Sequence, residues 1–346
     1  MHMADALISP AVGGAFWAAS AGGIAYCANQ VRKSQDDRHV PMMGVLGAFI
    51  FASQMINFSI PGTGSSGHIG GGLLLTILLG PHAAFLVISS VLVVQALFFA
   101  DGGLLALGCN IFNMGFFPAF LAYPLLYRPL VGGATGGARL WIASVVASVI
   151  GLQLGAFSVV LETKMSGISE LPFGTFVLLM QPIHLAIGVV EGLATAAVVS
   201  FVAKARPEAL APAAPAVGPA WKPVVVGLAL AAAAVGGIAS WFASTHPDGL
   251  EWSMAKVTGH EEIGGTTSAV HQKAAEVQKT TALLPDYSFP APAKENEPKE
   301  AEPAAAAESW PSVNAGTSLS GLLGGGVVLL LAGGLAFFLK GRKAKA

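Results

Sequence analysis

Long apolar stretches, separated by short polar connections, run along most of the chain. A helix of about 20 apolar residues spans the hydrocarbon core of a bilayer, so stretches of this kind are predicted to be membrane helices. The predicted spans cover about residues 10–31, 40–58, 68–80, 82–99, 103–125, 137–162, 174–203, 222–243 and 318–340. The third would be only about 20 Å long at ~1.5 Å per residue. It is therefore predicted to be a half-helix or tilted piece packed inside the bundle, with Pro81 at the following turn.

The composition supports a membrane protein. Hydrophobic residues make up 54% of the sequence and charged residues 11%, which is too apolar for a soluble domain. The expected fold class is an all-α polytopic membrane protein embedded in a lipid bilayer. No basic segment precedes the first span and no A-x-A site follows it, so we expect no removable signal peptide and a retained Met1. Cys27 and Cys109 lie in apolar spans and are expected to fill space rather than form a disulfide or zinc pair.

The distribution of charge predicts the orientation, because short cytoplasmic loops collect Lys and Arg. With the N-terminus outside, twelve of the eighteen Lys and Arg residues fall in cytoplasmic loops or in the C-terminal tail. They are Arg32, Lys33, Arg38, Arg128, Arg139, Lys204, Arg206, Lys222, Lys340, Arg342, Lys343 and Lys345. We therefore expect a multi-pass protein of the cytoplasmic (inner) membrane of a prokaryote, with the N-terminus outside and the C-terminus in the cytoplasm. Met1, His2 and residues 59–68 then share the outer face.

The first two residues have the donor atoms of a metal chelate. The free α-amine of Met1, the backbone nitrogen of His2 and the His2 imidazole would close two fused chelate rings on one cation. Three nitrogens in a flat array suit a square-planar ion, Ni(II) or Cu(II), rather than tetrahedral Zn(II) or oxygen-bound Mg(II). A fourth ligand is still needed. The alternative is that His2 is an ordinary second residue.

Residues 59–72 form a glycine-rich outer loop, and His68 lies near its end. The glycines let its backbone fold tightly and approach other groups closely. A histidine at the edge of an apolar helix needs a polar partner, so His68 is a candidate for the fourth ligand. A structural histidine with a protein partner is the alternative.

Three segments of residues 1–205 carry long and specific motifs. They are MHMADALISP, PGTGSSGHIGGGLLLTILLGPHAAF and LFFADGGLLALGCNIFNMG. Together they strongly resemble the substrate-capture subunit of nickel and cobalt energy-coupling-factor transporters, the NikM/CbiM family. The resemblance implies a six-helix S-component core with an added N-terminal helix, about seven helices in all. It also implies a square-planar nickel site made by the amine of Met1, the amide nitrogen and imidazole of His2, and His68.

The remainder of the chain is a different piece. Residues 206–221 form an Ala/Pro linker that cannot hold a continuous helix. Beyond it, two transmembrane spans in residues 222–346 bracket an outer segment, residues 244–317, that opens with HPDGLEW. This motif is similar to that of the PDGLE-type N component found with capture subunits, which predicts a NikMN-like fusion. The histidines of the outer segment are expected to be solvated loop residues. They are His246, His260 and His271.

The chain has no G-x-x-x-x-G-K-[ST] loop to hold the phosphates of ATP. The resemblance supplies the missing partners, a transmembrane coupling (T/Q) subunit and cytoplasmic ATPase (A/O) subunits. Gly14, Ala18 and Gly22 recur every four residues in the first span and would let another helix come close. Packing inside the chain is the alternative use of this stripe. We expect a transporter subunit that is not an enzyme and has no nucleic-acid partner.

Several polar residues lie within or beside apolar spans, where they are costly and usually face a partner or a site. Asp101, Asn110 and Asn113 belong to the family-like stretch and are candidates to orient His2 or His68 as outer-shell acceptors. Alternatively they tie helices together. Glu191 and His184 lie seven residues apart, two turns along one helix face, which allows a buried polar pair without a ligand role.

Other functions and other metals are weaker alternatives. The sequence Gly64-Ser65-Ser66-Gly67, with His184 as a base, loosely matches an intramembrane serine protease, but these serines are predicted at the outer edge. A channel would need repeated filter residues, and a high-affinity chelate would trap an ion. Ni2+ is the expected transported substrate, and Co2+ is the alternative because capture subunits for both metals share these motifs.

Overall fold

The computed structural model describes residues 2–34, 39–205, 222–261, 268–290 and 310–340. Its first helices are α1 (Pro10–Ser34), α2 (His39–Gln54), α3 (Gly72–Leu79), α4 (Pro81–Phe98) and α5 (Leu107–Val131). They are followed by α6 (Gly137–Ser166), α7 (Phe173–Ala205), α8 (Lys222–Gly237), α9 (Gly249–Thr258), α10 (Ala269–Thr281) and α11 (Ala315–Leu339). A two-stranded antiparallel hairpin joins α2 to α3, with β1 (Phe58–Ile60) paired to β2 (Ser65–Gly67).

The predicted fold class, an all-α membrane protein, is confirmed. Among the described residues, α1, α4, α5, α6, α7 and α11 are long and apolar enough to cross a membrane, and α2 and α8 are shorter apolar helices. All nine apolar spans predicted from the sequence contain a helix in the structure. The predicted linker, residues 206–221, lies outside the described residues.

The short third helix is also confirmed. Helix α3 has eight residues, most of them buried. Gly71 precedes it at φ +77° and Gly80 follows it at φ +80°, a backbone conformation that glycine adopts without a steric cost. Pro81 then starts α4, where its fixed φ suits the first helical turn.

Helix α5 begins four residues later than its predicted span, because residues 100–106 form a loop against the N-terminal segment. Gly102 in this loop has a φ of +80°. From Phe112 to Tyr127 the helix has wide π-helical turns and contains Pro118 and Pro124. Wider turns are a common accommodation for prolines that remove a backbone donor.

The C-terminal helices pack on the N-terminal part of the chain, residues 2–205. Helix α11 lies against α2 and α8, and α6 and α7 form the other extensive helix pair. The backbones of α8 and α11 approach closely, since a Cβ on Gly321 would lie 2.2 Å from the Gly236 carbonyl oxygen. The two cysteines, Cys27 and Cys109, are buried and free, as predicted.

Candidate metal centre

The N-terminal segment, the loop after β2 and the loop between α4 and α5 meet at one end of the bundle. The imidazole rings of His2 and His68 stack with their centroids 5.1 Å apart and an angle of 19° between their planes. His2 Nδ1 lies 2.9 Å from Asp101 Oδ1. The structure therefore brings together His2, His68 and Asp101, three of the site residues predicted from the sequence. Met1, the other predicted ligand residue, lies outside the described residues.

The N-terminal segment is fixed by hydrogen bonds to the backbone of Met3, which is fully buried. The Met3 amide donates to Asn110 Oδ1 at 2.8 Å, and Asn110 Nδ2 donates back to the Met3 carbonyl at 3.2 Å. The Gly103 amide donates to the same carbonyl at 2.9 Å. Only glycine fits at position 103, because a Cβ there would lie 2.4 Å from the Asp5 backbone nitrogen. These contacts hold the residue directly after His2.

The loop that carries His68 is bound by buried polar side chains of helices α2 and α7. Glu191 on α7 accepts hydrogen bonds from the amides of Gly70 and Gly71, at 2.8 and 3.2 Å. Gln54 Nε2 donates to the Gly70 carbonyl at 2.8 Å. A carboxylate beside the free amides at the start of α3 is favoured by the helix dipole. Polar residues deep in the bundle thus position the backbone next to His68.

The predicted pair of Glu191 and His184 is wrong. Glu191 faces the Gly70 and Gly71 amides, and His184 Nδ1 lies 2.8 Å from the carbonyl oxygen of Met180, one turn earlier on its own helix. Two turns on one face place these residues in line. Each, however, has a backbone group as its hydrogen-bond partner, as is usual for buried polar groups.

The predicted orienting residues divide into two kinds. Asp101 contacts His2 directly, whereas the contacts of Asn110 are with the Met3 backbone. Asn113 Nδ2 donates to Glu162 Oε2 at 2.8 Å and lies 3.9 Å from the Met3 sulfur. The two asparagines therefore act on Met3 rather than on an imidazole. Glu162, which is fully buried, is not among the site residues predicted from the sequence, although it is a carboxylate at the end of an apolar span.

The electrostatics of the site leave His68 neutral and Asp101 charged. Burial, reinforced by the neighbouring His2, lowers the pKa of His68 to about 4. Burial alone would raise the pKa of Asp101, but the interaction with His2 and hydrogen bonds from His2 and Tyr287 hold it at about 2. A neutral imidazole is the form that binds a metal. His68 Nδ1 lies 3.1 Å from the Ile69 carbonyl, which assigns the proton to Nδ1 and leaves Nε2 with a lone pair.

The outer segment of the C-terminal part covers the site. Trp252 Nε1 donates to the carbonyl of Thr63 at 3.0 Å, and Ser66 Oγ donates to the carbonyl of His246 at 2.7 Å. Gln278 Nε2 donates to the Gly102 carbonyl at 2.7 Å. The β1–β2 hairpin next to His68 and the α4–α5 loop next to His2 are therefore both bound by residues that follow α8.

Of the three histidines predicted to be solvated, His246 and His260 are exposed and His271 is buried. His271 Nε2 lies 3.1 Å from the Asp5 carbonyl and 2.8 Å from the Ile8 carbonyl. The prediction is therefore wrong for His271, because helix α10 packs this side chain against the N-terminal segment. The amphipathic sequence of α10 is the feature that could have indicated a buried face.

A cavity of about 880 Å3 lies between these parts, lined by His2, His68, Asp101 and further carboxylates such as Asp5, Asp248 and Glu251. None of its described lining residues is Lys or Arg. A cleft with one sign of charge attracts ions of the opposite sign, so this cavity favours cations. Within the described residues, no group of three or more His, Cys, Asp or Glu side chains is placed to hold a metal ion.

Two sequence families match the chain. The family described as the cobalt uptake substrate-specific transmembrane region, CbiM, matches residues 2–209, and the PDGLE domain family matches residues 222–341. The chain belongs to the CbiM family. The second match confirms the predicted NikMN-like fusion.

Known relatives agree with this assignment. A putative fused nickel transport protein NikMN of Archaeoglobus fulgidus is 36% identical over 212 residues, covering 61% of this chain and 68% of that protein. A putative metal transport protein of Haloquadratum walsbyi is 36% identical over 210 residues, covering 60% and 92%. A crystal structure of a truncated transition metal transporter matches with a TM-score of 0.52 and 30% identity, covering 59% of this chain and 99% of that one. This CbiM-family chain is a membrane component of nickel or cobalt transport.

The hydrogen bonds on Met3 predict the effect of Asn110→Ala. The variant removes a reciprocal pair of buried hydrogen bonds and leaves the Met3 amide without its acceptor, at a cost of about 1–3 kcal/mol. Hydrogen–deuterium exchange at the Met3 amide should accelerate by a factor of ten or more. Asn29→Ala, an exposed asparagine on α1, is the matched control. Unchanged Met3 exchange in Asn110→Ala would show that the N-terminal segment is held by other groups.

Proposed function

We propose that this chain is the substrate-binding membrane subunit of an ATP-driven energy-coupling-factor importer for Ni2+. The proposed ligands are the amine of Met1, the amide nitrogen and imidazole of His2, and His68. The observation that carries the proposal is the His68 ring stacked on His2, the second residue of a chain start that is fixed by hydrogen bonds.

The geometry of the chelate supports His68 as the fourth ligand. The His2 amide is the middle one of the three chelating nitrogens, so the vacant corner of a square-planar ion is opposite the amide and next to the His2 imidazole. A second imidazole beside that of His2 is what the stacked pair provides. Its Nε2 carries the lone pair needed for binding.

Metal binding requires one rearrangement at His2. Only Nδ1 can close a six-membered ring with the amide nitrogen of the same residue, and in this structure Nδ1 contacts Asp101. His2 Nε2 is buried and has no hydrogen-bond partner. A half-turn of the ring exchanges Nε2 with Cε1, the atom next to Nδ1, so Nε2 would come to face Asp101 while Nδ1 turns to the metal. Asp101 would then orient the bound imidazole, a common carboxylate–histidine–metal arrangement.

Nitrogen donors in a plane favour Ni(II), with Co(II) as the alternative substrate. Cu(II) binds such a site more tightly by intrinsic affinity, so the metal carried in the cell depends on supply and geometry as well. Relatives of this chain are named for nickel transport and for cobalt transport. Loading the purified protein with Ni2+ and Co2+ together, followed by metal analysis, would separate the two.

The proposed partners are a transmembrane coupling (T/Q) subunit and cytoplasmic ATPase (A/O) subunits. Gly14, Ala18 and Gly22 on α1 are exposed, and a Cβ on either glycine would meet nothing within 4 Å. This supports docking of another helix over packing inside the chain. We further propose a capture domain at 1–205 and an N-component domain at 222–346, with the N-terminus outside the cytoplasmic membrane.

A serine protease is not favoured by the contacts of its candidate groups. The hydroxyls of Ser65 and Ser66 are buried and donate to main-chain carbonyls, at 3.2 and 2.7 Å. The Nδ1 atom of His184 is occupied by the Met180 carbonyl. A nucleophile needs a hydrogen bond to its base, and these contacts give the groups a structural role.

Blocking the amine of Met1 should abolish high-affinity nickel binding. A formyl group left on Met1 turns the free amine into an amide and breaks the chelate, so the affinity should fall at least about 100-fold, or about 2.8 kcal/mol. Isothermal titration on the formylated and native proteins measures this. A one-residue extension at the C-terminus, which leaves the amine free, is the control. Nickel affinity that survives the formyl group would exclude the amine as a ligand.

His68→Ala should lose most of the nickel affinity, whereas His260→Ala should lose little. His68 supplies one of four nitrogens, and His260 is exposed in the outer segment. His271 is unsuitable as a control because it holds carbonyls of the N-terminal segment. Titration of both variants decides the point, and equal losses would place the site in the outer segment.

Nickel capture should weaken steeply as the pH falls from about 8 to about 6. The α-amine, with an ordinary pKa of about 7.7–8.0, and the His2 amide must both lose protons to bind. The lowered pKa of His68, about 4, makes its proton irrelevant in this range. More than one proton should leave per nickel at pH 7, measured by titration calorimetry in buffers of different ionisation enthalpy. A carboxylate site would release almost none, and that result would contradict the chelate.

A further inference from the structure

Asp101 forms a contact between the N-terminal part of the chain and the segment that follows α10. Tyr287, in the segment after α10, donates a hydrogen bond from its hydroxyl to Asp101 Oδ2. Asp101 Oδ1 faces His2 Nδ1. One carboxylate therefore connects the C-terminal part of the chain to the imidazole of the proposed chelate.

Backbone strain is concentrated at this contact. Within the described residues, the non-glycine residues with positive φ are Ala100, Asp286 and Tyr287, at +57°, +50° and +58°. The left-handed region is unfavourable for residues with a side chain and persists only where the surroundings impose it. Here the strained residues are Tyr287, which donates the hydrogen bond, its neighbour Asp286, and Ala100, the neighbour of the acceptor Asp101. Strain of this kind clusters where a side chain must be placed accurately.

The surroundings impose the position of Tyr287 through backbone and ring contacts. The amides of Leu283 and Leu284 both donate to the Phe98 carbonyl, at 3.0 and 3.2 Å. The Asp286 amide donates to the Phe99 carbonyl at 2.9 Å. The Tyr287 ring stacks on the Phe99 ring, with centroids 5.0 Å apart and 16° between planes. The segment is thus bound directly to the end of α4 that leads into Asp101.

We infer that Tyr287 is a positioning residue of the metal site, acting through Asp101 on His2. This inference rests on the proposed function. The hydroxyl fixes one oxygen of the Asp101 carboxylate so that the other stays aimed at the His2 imidazole, before and after the ring turns to bind metal. The C-terminal part of the chain thereby contributes to metal affinity without supplying a ligand.

The inference predicts that Tyr287→Phe binds Ni2+ about 10-fold more weakly, the lower end of the effect of outer-shell partners. The variant keeps the ring that stacks on Phe99 and removes only the hydroxyl. The visible absorption of the nickel complex should be unchanged, because the ligands are the same. Tyr26→Phe, at an exposed tyrosine on α1, is the matched control and should bind as the native protein does. Melting temperatures of both variants identify any general loss of stability.

A double-mutant cycle distinguishes positioning from a merely structural role. If Tyr287 acts through Asp101, Tyr287→Phe should have no further effect on nickel affinity in an Asp101→Asn background. Full affinity in Tyr287→Phe, or an equal loss in both backgrounds, would overturn the inference alone. A native protein that binds no nickel, or binds it independently of a free N-terminus, would instead refute the proposed function.

Discussion

The fixed backbone of Met3 is the constraint on which the proposed metal centre depends. The first residues of a chain usually fray unless something ties them down. Here a side-chain amide from α5 and a glycine amide from the α4–α5 loop hold a fully buried residue next to His2. A chelate that includes the N-terminal amine needs an ordered backbone, because the conformational entropy lost on metal binding is then small. The close approach requires glycine at position 103.

Four polar residues inside the bundle have a common task. Glu191, Gln54 and Gln95 form hydrogen bonds that end on the loop beside His68, and Glu162 holds Asn113 beside Met3. Polar groups at membrane depth are expensive and persist for function. In this protein they position backbone next to the proposed ligands, which lie at one end of the bundle beside a cavity lined with carboxylates.

The sequence predicts the helices well because their signal is local. Each apolar stretch is long enough to identify by itself, and Pro81 marks the short helix. His2 and His68 could be grouped because charge places both on one face and the motifs resemble a known family. The contacts of Tyr287, His271 and Glu191 could not be predicted, since they join residues more than 100 positions apart. Apolar patterns give no information on which backbone group a distant polar side chain will reach.

X-ray absorption at the nickel edge of the loaded protein is the decisive measurement, because it reports the coordination number and geometry of the metal and separates sulfur ligands from nitrogen or oxygen. The proposed chelate of amine, amide and two imidazoles predicts a four-coordinate, square-planar nickel with no sulfur in the first coordination shell. A six-coordinate nickel with oxygen ligands would contradict it and would place the metal among the carboxylates of the cavity instead.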